Sequence, residues 1–411
     1  MPGRKIVVTH AIRSPFGAFN GTFANENPVS LGVEVVQAIL KNSGIKPESI
    51  EQVWFGQAKP DIKNPNIASI ISYRSGIPAR VPAVTVNLGV GSGLAAIISA
   101  AKAIFNGDIE IALAGAVDCA SYFLAPENGN FYEENLHGPL GLWCPLIKEP
   151  WKKSIEHVAS RFEIKKDSMI EFSKNSLNKA RKARIQGLLD KMIVPIHIRS
   201  GEDISRTLRA DEYLLIHDEN EEKEDRGEIP DITISKPADC AVAMILMTGD
   251  EALRRGFEPL AQFGQAKMFG ADPRYSVLGG VNALREVCAN AGIMPSSFDV
   301  IEIGESFSVE PLIAIKQLSL DQEKVNVLGG DLAYGFAFGA SSAAKVVTLL
   351  HEISRREVRK GLVGVSTESG MGIAATFYRF SGKTPILFTK PEIEEDEEIL
   401  KAKRIKRRKD R

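Results

Sequence analysis

The stretch Val84–Ile98 reads VTVNLGVGSGLAAII: a β-branched run, a glycine-rich turn and an apolar helix-like run in immediate succession. A turn of this kind presents a reactive side chain at a helix N-terminus, yet the residues on offer are Leu88, Gly89, Val90, Gly91 and Ser92, and the central one is valine. Other groups with nucleophilic or ligating capacity are scattered. Cys119, Cys144, Cys240 and Cys288 stand far apart without CxxC spacing, which predicts free thiols rather than a disulfide framework or a zinc site. His10, His137, His157, His197, His217 and His351 include no HxxxH pair, so no metal site is expected.

The elements that must position these groups follow from the pattern of the chain. Its 411 residues leave room for a substantial core, and 44% hydrophobic with 25% charged residues is ordinary for a globular protein. A net charge of −1 gives no global reason to expect nucleic acid or a membrane as partner. The start MPGRKIVVTH has no signal-peptide core and no apolar run has the length of a membrane span, so a cytoplasmic location is expected. Short β-branched runs (KIVVTHA, QVWFGQA, IEIALAGA) alternate with Ala-rich helical stretches, which predicts α/β layers around a buried sheet. The helix expected over Leu94–Phe105 is apolar or small nearly all round and must lie inside the protein, with Gly107 as its stop.

The second half repeats this plan. VNVLGGDLAYGFAFGASSAAKVVTLLHEI (325–353) again runs strand, glycine turn and Ala-rich helix, with Val325-Asn326 matching Val86-Asn87. Residues 120–232 differ, with Pro, Trp, charged helices and the acidic run HDENEEKEDRGE, and are expected to form an inserted lid. The expected division is a first half over 1–119 completed by 233–258, the lid over 120–232, a second half over 259–388 and a charged tail over 389–411. In the tail an acidic block precedes a basic one: it reads as a solvated segment or short charged helix, or as a docking element for an acidic partner.

With these blocks in view, nearly the whole chain up to the tail resembles the thiolase family. VVTHAIRSPFGAFNGTF is similar to the family's opening strand and turn; VPAVTVNLGVGSGLAAIISAAKAIFNGDIEIALAGAVDCAS to its nucleophile strand, buried helix and following strand; SIEHVASRFEIKKDSMIEFSKNSLNKA to its lid helices; and ADCAVAMILMTGDEALRRGFEPLA to the return strand. EIGESFSVEPL, GGDLAYGFAFGASSAAK and VSTESGMGIAA resemble its three second-half catalytic blocks. The resemblance implies an α/β, five-layered αβαβα fold of two similar halves that stack about two buried helices, Leu94–Phe105 and Ser341–Leu350.

It also implies a chemistry. Family members make or break carbon–carbon bonds between acyl-CoA units through a cysteine acylated at the buried helix, a histidine in GHPxG, a second cysteine in CxG and an Asn in NEAF. Block by block, Val90 stands at the first cysteine, Phe336 at the histidine, Ser366 at the second cysteine and Gly304 at the Asn; of NEAF's polar pair only Glu305 is kept. An alkyl group cannot attack a thioester and a phenyl ring cannot relay a proton. Val90 and Phe336 are expected to pack together and narrow the old cleft. Cys119 and Cys240 read as buried structural thiols, and His157 as a surface or packed histidine on a lid helix. Ser92 and Ser366 have no histidine nearby in sequence; Glu305 with Asp331 and Tyr334 is a candidate polar remnant for other acid–base work. Ser235 matches the family's serine near the pantetheine, with Lys236-Pro237 where small residues are usual.

Three readings follow. The chain is a non-catalytic subunit that pairs with an active thiolase-like chain or with itself; or an enzyme on acyl-CoA thioesters by chemistry that needs no cysteine; or an acyl-CoA-binding scaffold. CoA or acyl-CoA, not covalently held, is the implied ligand, and a zinc-ribbon OB-fold protein is a further implied partner.

Overall fold

The computed structural model describes residues 4–60, 63–124, 143–144, 146–200, 203–216 and 229–381. The tail (389–411), His137, His217 and the acidic run of the lid lie outside the described residues.

The first half runs β1 (Ile6–Arg13), β2 (Gly17–Ala18), α1 (Pro28–Ser43), β3 (Gln52–Gly56), α2 (Ile67–Arg74), β4 (Ala83–Val86), α3 (Ser92–Asn106) and β5 (Ile111–Cys119). Two long helices of the intervening region follow, α4 (Trp151–Arg161) and α5 (Lys166–Ile185), before β6 (Ala238–Thr248) returns to the sheet. The second half comprises β7 (Ala261–Gly270), α6 (Leu278–Ala291), β8 (Val300–Ile303), α7 (Val309–Leu318), α8 (Phe338–Arg355), β9 (Lys360–Ser366) and β10 (Met371–Tyr378). Local chemistry sets the ends. Asn27 caps α1 by accepting from Ser30 N, Pro28 opens that helix, and Gly44 closes it at φ 68°. Gly107 closes α3 at φ 87°, donating to Ala103 and Ile104 carbonyls.

The duplication is visible in the strand order β8-β9-β10-β7-β1-β6-β5-β3-β4. In the first half β4 and β3 run parallel with β5, while β6 and β1 are antiparallel additions. In the second, β8 is parallel to β9, β10 and β7 follow antiparallel, and Val325 makes a parallel bridge to Ile301 where β4 would stand. The turns match too: Leu88 bridges Val90 and Val327 bridges Gly329. The two halves also join edge to edge. Hydrogen bonding makes one ten-stranded sheet, because β1 and β7 pair over Val7–Gln262 and Val8–Ala261.

Alternation along the strands produces five layers. Val7, Leu113, Ala241, Ala243 and Ile245 face α1 and α2 in one apolar cluster. Their neighbours Val8, Ala112, Ala114, Val242 and Met244 face α3 and α8, together with Val363, Val365, Ile373 and Ala375 of the second half. Leu362 and Ala374 face α6 and α7 in the third cluster. Both central helices are buried as expected and run longer than the sequence pattern suggested. From Gly89 to Asn106 the chain is long and apolar enough to cross a membrane by length and composition; here that stretch is mostly buried as the core helix. Its small residues are required, since a Cβ at Gly93 would lie 2.5 Å from the Gly339 carbonyl.

The described part of 120–232 has no core of its own. Trp151, Ile155, Val158 and Met169 join the α6–α7 cluster, Ala180 and Ala183 the central one, and Val194 and Ile196 the α1–α2 one. A bidentate, fully buried Arg13–Asp211 pair, at 2.6 and 2.8 Å, ties that region to the end of β1.

Candidate functional site

The turn before α3 is closed on itself. Leu88 N donates to Ser92 Oγ at 2.9 Å, Ser92 Oγ donates to the Gly89 carbonyl at 2.5 Å, and Gly89 N donates to Asn87 Oδ1 at 3.0 Å. Gly89 takes φ 52°, which only glycine adopts without strain. Ser92 is thus a turn-forming hydroxyl, and Val90, 3% exposed, points into the apolar cluster under α6 and α7.

Phe336 reaches that same cluster from the second half. Its N–H donates to the Lys236 carbonyl at 2.7 Å and its carbonyl accepts from Ala238 N at 2.9 Å, so the segment Lys236–Ala238 clamps the loop before α8. Its ring packs edge-on against Phe338 at 5.6 Å. Phe338 has φ 45°, a conformation that is costly for a bulky residue and is held only by its surroundings. Val90 and Phe336 thus share one continuous apolar body with Phe338.

The other two family positions are sealed. Ser366 Oγ donates to the Val277 carbonyl at 3.0 Å, and a Cβ at Gly280 would lie 2.4 Å from that oxygen. A Cβ at Gly304 would lie 2.6 Å from Glu310 Oε1, the atom that accepts Ser366 N at 2.8 Å. The Glu310 carboxyl therefore fills the space an asparagine side chain would need. Burial pushes its pKa up to about 7, against the pull of the Ser366 hydrogen bonds.

Glu305 is an internal tie. It accepts from Ser176 Oγ of α5 at 2.8 Å, from Asn326 Nδ2 at 2.6 Å and from Leu332 N at 3.3 Å. Asp331 accepts from Glu305 N at 3.0 Å and pairs with the buried Lys345 of α8 at 2.8 Å. Burial raises Glu305, with the Lys345 charge opposing it. Tyr334 does not join them: its hydroxyl donates to the Leu328 carbonyl, and its ring stacks on Phe16 at 6.1 Å beneath Arg13. The proposed trio is thus a Glu305–Asp331 pair with Lys345. Ser235 Oγ donates to the Glu305 carbonyl, so its hydroxyl is turned to the main chain.

All four cysteines are buried and free. Burial pushes the Cys119 thiol well up and the Cys240 and Cys288 thiols to about 12, the opposite of an activated nucleophile. His157 packs its ring near Tyr275 at 6.3 Å. Among the described residues no group of three His, Cys, Asp or Glu could hold a metal.

Sequence reasoning missed a second set beside the turn. Asp118, at the end of β5, accepts from Ala58 N and Lys59 N at 3.1 Å and from Gly339 N at 3.0 Å, and burial lifts it to about 7. Lys59 Nζ lies 4.8 Å from the Phe123 ring centre and 5.3 Å from that of Phe338. Glu368 stands where CxG has its glycine, and a Cβ at Gly89 would lie 2.6 Å from its Oε1. Gln57 is fully buried with neither side-chain polar atom partnered among the described residues. The one signal available was Glu368 itself, a charge in place of a glycine in a readable block.

Comparison with known proteins agrees with this architecture. Residues 6–250 match the family model "Thiolase, N-terminal domain" and residues 257–379 match "Thiolase, C-terminal domain". An acetyl-CoA acetyltransferase of Cupriavidus necator is 32% identical over 391 residues, 91% of this chain and 99% of that protein. The crystal structure of the Bacillus anthracis acetyl-CoA acetyltransferase superposes with a TM-score of 0.82 at 27% identity, covering 92% of this chain and 99% of that one. The human mitochondrial 3-ketoacyl-CoA thiolase gives 0.81 at 25% identity, with 92% and 99% covered.

Proposed function

The chain belongs to the thiolase family, within the acetyl-CoA acyltransferases of acyl-CoA metabolism, and we propose that it acts there without thiolase chemistry, as a non-catalytic subunit. The observation that carries this reading is the sealing of all four family positions. Val90 and Phe336 lie in one apolar cluster, Ser366 is bonded to the Val277 carbonyl, and Glu310 occupies the space beside Gly304. Each of the four side chains is accommodated by its surroundings, which supports a site without the thiolase groups.

The partner in this reading is an active thiolase-like chain or a second copy of this one. Strand β4 supports it: it ends the sheet, and Val84 is 40% exposed there, with Tyr73 of the adjacent α2 68% exposed. An unpaired, apolar sheet edge is a template for another chain. A zinc-ribbon OB-fold protein is the alternative partner, and a cytoplasmic location suits either. CoA or acyl-CoA would bind non-covalently, with Ser235 holding its loop rather than touching the ligand.

The test is thiolysis of acetoacetyl-CoA by the purified chain, with intact-mass measurement after exposure to the thioester. No turnover and no acyl-cysteine are expected. An acyl group on any cysteine would overturn the reading.

A further inference from the structure

The turn between α4 and α5 and the side of α7 enclose an open groove of about 420 Å³. Its floor is Ile164, Leu312 and Ile315, which pack against the apolar cluster of α6 and α7 and remain half-buried. Local chemistry fixes its walls. Glu163 takes φ 53° after α4; its N–H donates to the Ser160 carbonyl at 3.2 Å and Ile164 N donates to the Ala159 carbonyl at 2.9 Å, which brings Ile164 to the floor. Lys316 Nζ donates to the Phe162 carbonyl at 2.7 Å and ties α7 to that turn. Two lysines, Lys165 and Lys316, line the groove with one acid, Glu163, and all three are exposed. The groove therefore offers apolar surface under a net positive rim. None of Val90, Gly304, Phe336 and Ser366 lines it, so it is separate from the sealed family positions.

The chain carries a segment of complementary composition. Residues 392–400 read EIEEDEEIL, six acids with Ile393, Ile399 and Leu400, and precede a basic end that the two lysines would repel. We propose that this acidic segment of the same chain docks in the groove, with its apolar side chains on Ile164, Leu312 and Ile315 and its carboxylates against Lys165 and Lys316. The length of chain permits it. The last described residue, Ser381, is held through its carbonyl by Lys5 Nζ at 3.3 Å. From there an extended chain reaches about 40 Å at Ile393 and about 60 Å at Ile399. A folded chain of this size has a radius of gyration of roughly 22 Å, so the groove lies within that span. Tethering also explains why the occupant is this chain: it keeps the segment at an effective concentration on the order of mM, enough for a contact too small to hold a free partner. Exposed ion pairs add little by themselves, so the apolar contact holds the segment and the charges select it.

The experiment treats the full chain at low salt with a carbodiimide, which condenses a carboxylate with an amine it already touches, and maps the linked peptides by mass spectrometry. Links from residues 392–398 to Lys165 and Lys316 are expected, in material that keeps the mass of one chain after denaturation. Leu312→Asp keeps both amines and places a charge on the floor. Its links should fall about tenfold, as loss of one apolar contact implies, while thermal unfolding stays unchanged. Lys165→Glu, at an exposed position, keeps the Lys316 amine and should lower the Lys316 link, as should salt at about 0.5 M. Links found only at the mass of two chains would assign the groove to a second copy and overturn the proposal. No link at either lysine, links spread evenly over other lysines, or full linking in a folded Leu312→Asp or Lys165→Glu chain would overturn it as well.

Discussion

Gly304 and Glu310 form a complementary pair: a Cβ at position 304 would lie 2.6 Å from Glu310 Oε1, and that same oxygen holds the main chain of Ser366. A carboxyl from the next helix takes the space that a side chain at position 304 would need. Gly304→Asn should therefore destabilise rather than restore anything, by about 1–3 kcal/mol as overpacking does. Adding Glu310→Ala should recover part of the loss. Denaturant unfolding of the single and double variants measures both.

Burial also sets a pH dependence. Glu310 rises from 4.5 to about 7 and Asp118 from 3.8 to about 7. A carboxyl whose pKa is higher in the fold than in the unfolded chain binds more protons when folded, so stability falls as pH rises through that interval. Unfolding free energy should decline between pH 5 and pH 8. Glu310→Gln, which still offers an acceptor to Ser366 N, should flatten that decline; an unchanged slope would show that Glu310 carries no proton in the fold.

Val90→Cys alone should leave thiolysis at background, because Phe336 and Ser366 supply no proton transfer. Phe336→Ala should unfold more readily by about 3–5 kcal/mol, since its fully buried ring fills the cluster around Val90. Turnover in the first variant, or unchanged stability in the second, would contradict the packing described here.

Assembly offers a further test. Val84→Lys places a charge on the exposed edge strand β4 and should weaken pairing in sedimentation and in capture of a thiolase-like partner. Deletion of residues 389–411 should leave pairing intact, because a stretch composed largely of charged residues offers little to a packed interface.

Much of this protein follows from residue order alone. A helix apolar or small nearly all round, Ser92–Asn106, calls for an apolar surrounding on most of its faces, and the repeated strand, turn and helix after Val86-Asn87 and Val325-Asn326 points to two equivalent halves around a pair of such helices. The absence of a thiol at Val90 and an imidazole at Phe336 is likewise a matter of side-chain identity, which no folding can alter. The tertiary structure decided what those positions became. Lys59, Asp118, Gly339 and Glu368 come from four separate segments, and only the close approach of α3 and α8 gathers them at one turn. Burial then changes what each can do: a carboxyl or an amine has its ordinary proton affinity in the unfolded chain and a different one once water is removed and a fixed partner is set beside it. Glu310 at Gly304 and Lys59 between two rings exist only as contacts, and contacts between distant segments are set by packing.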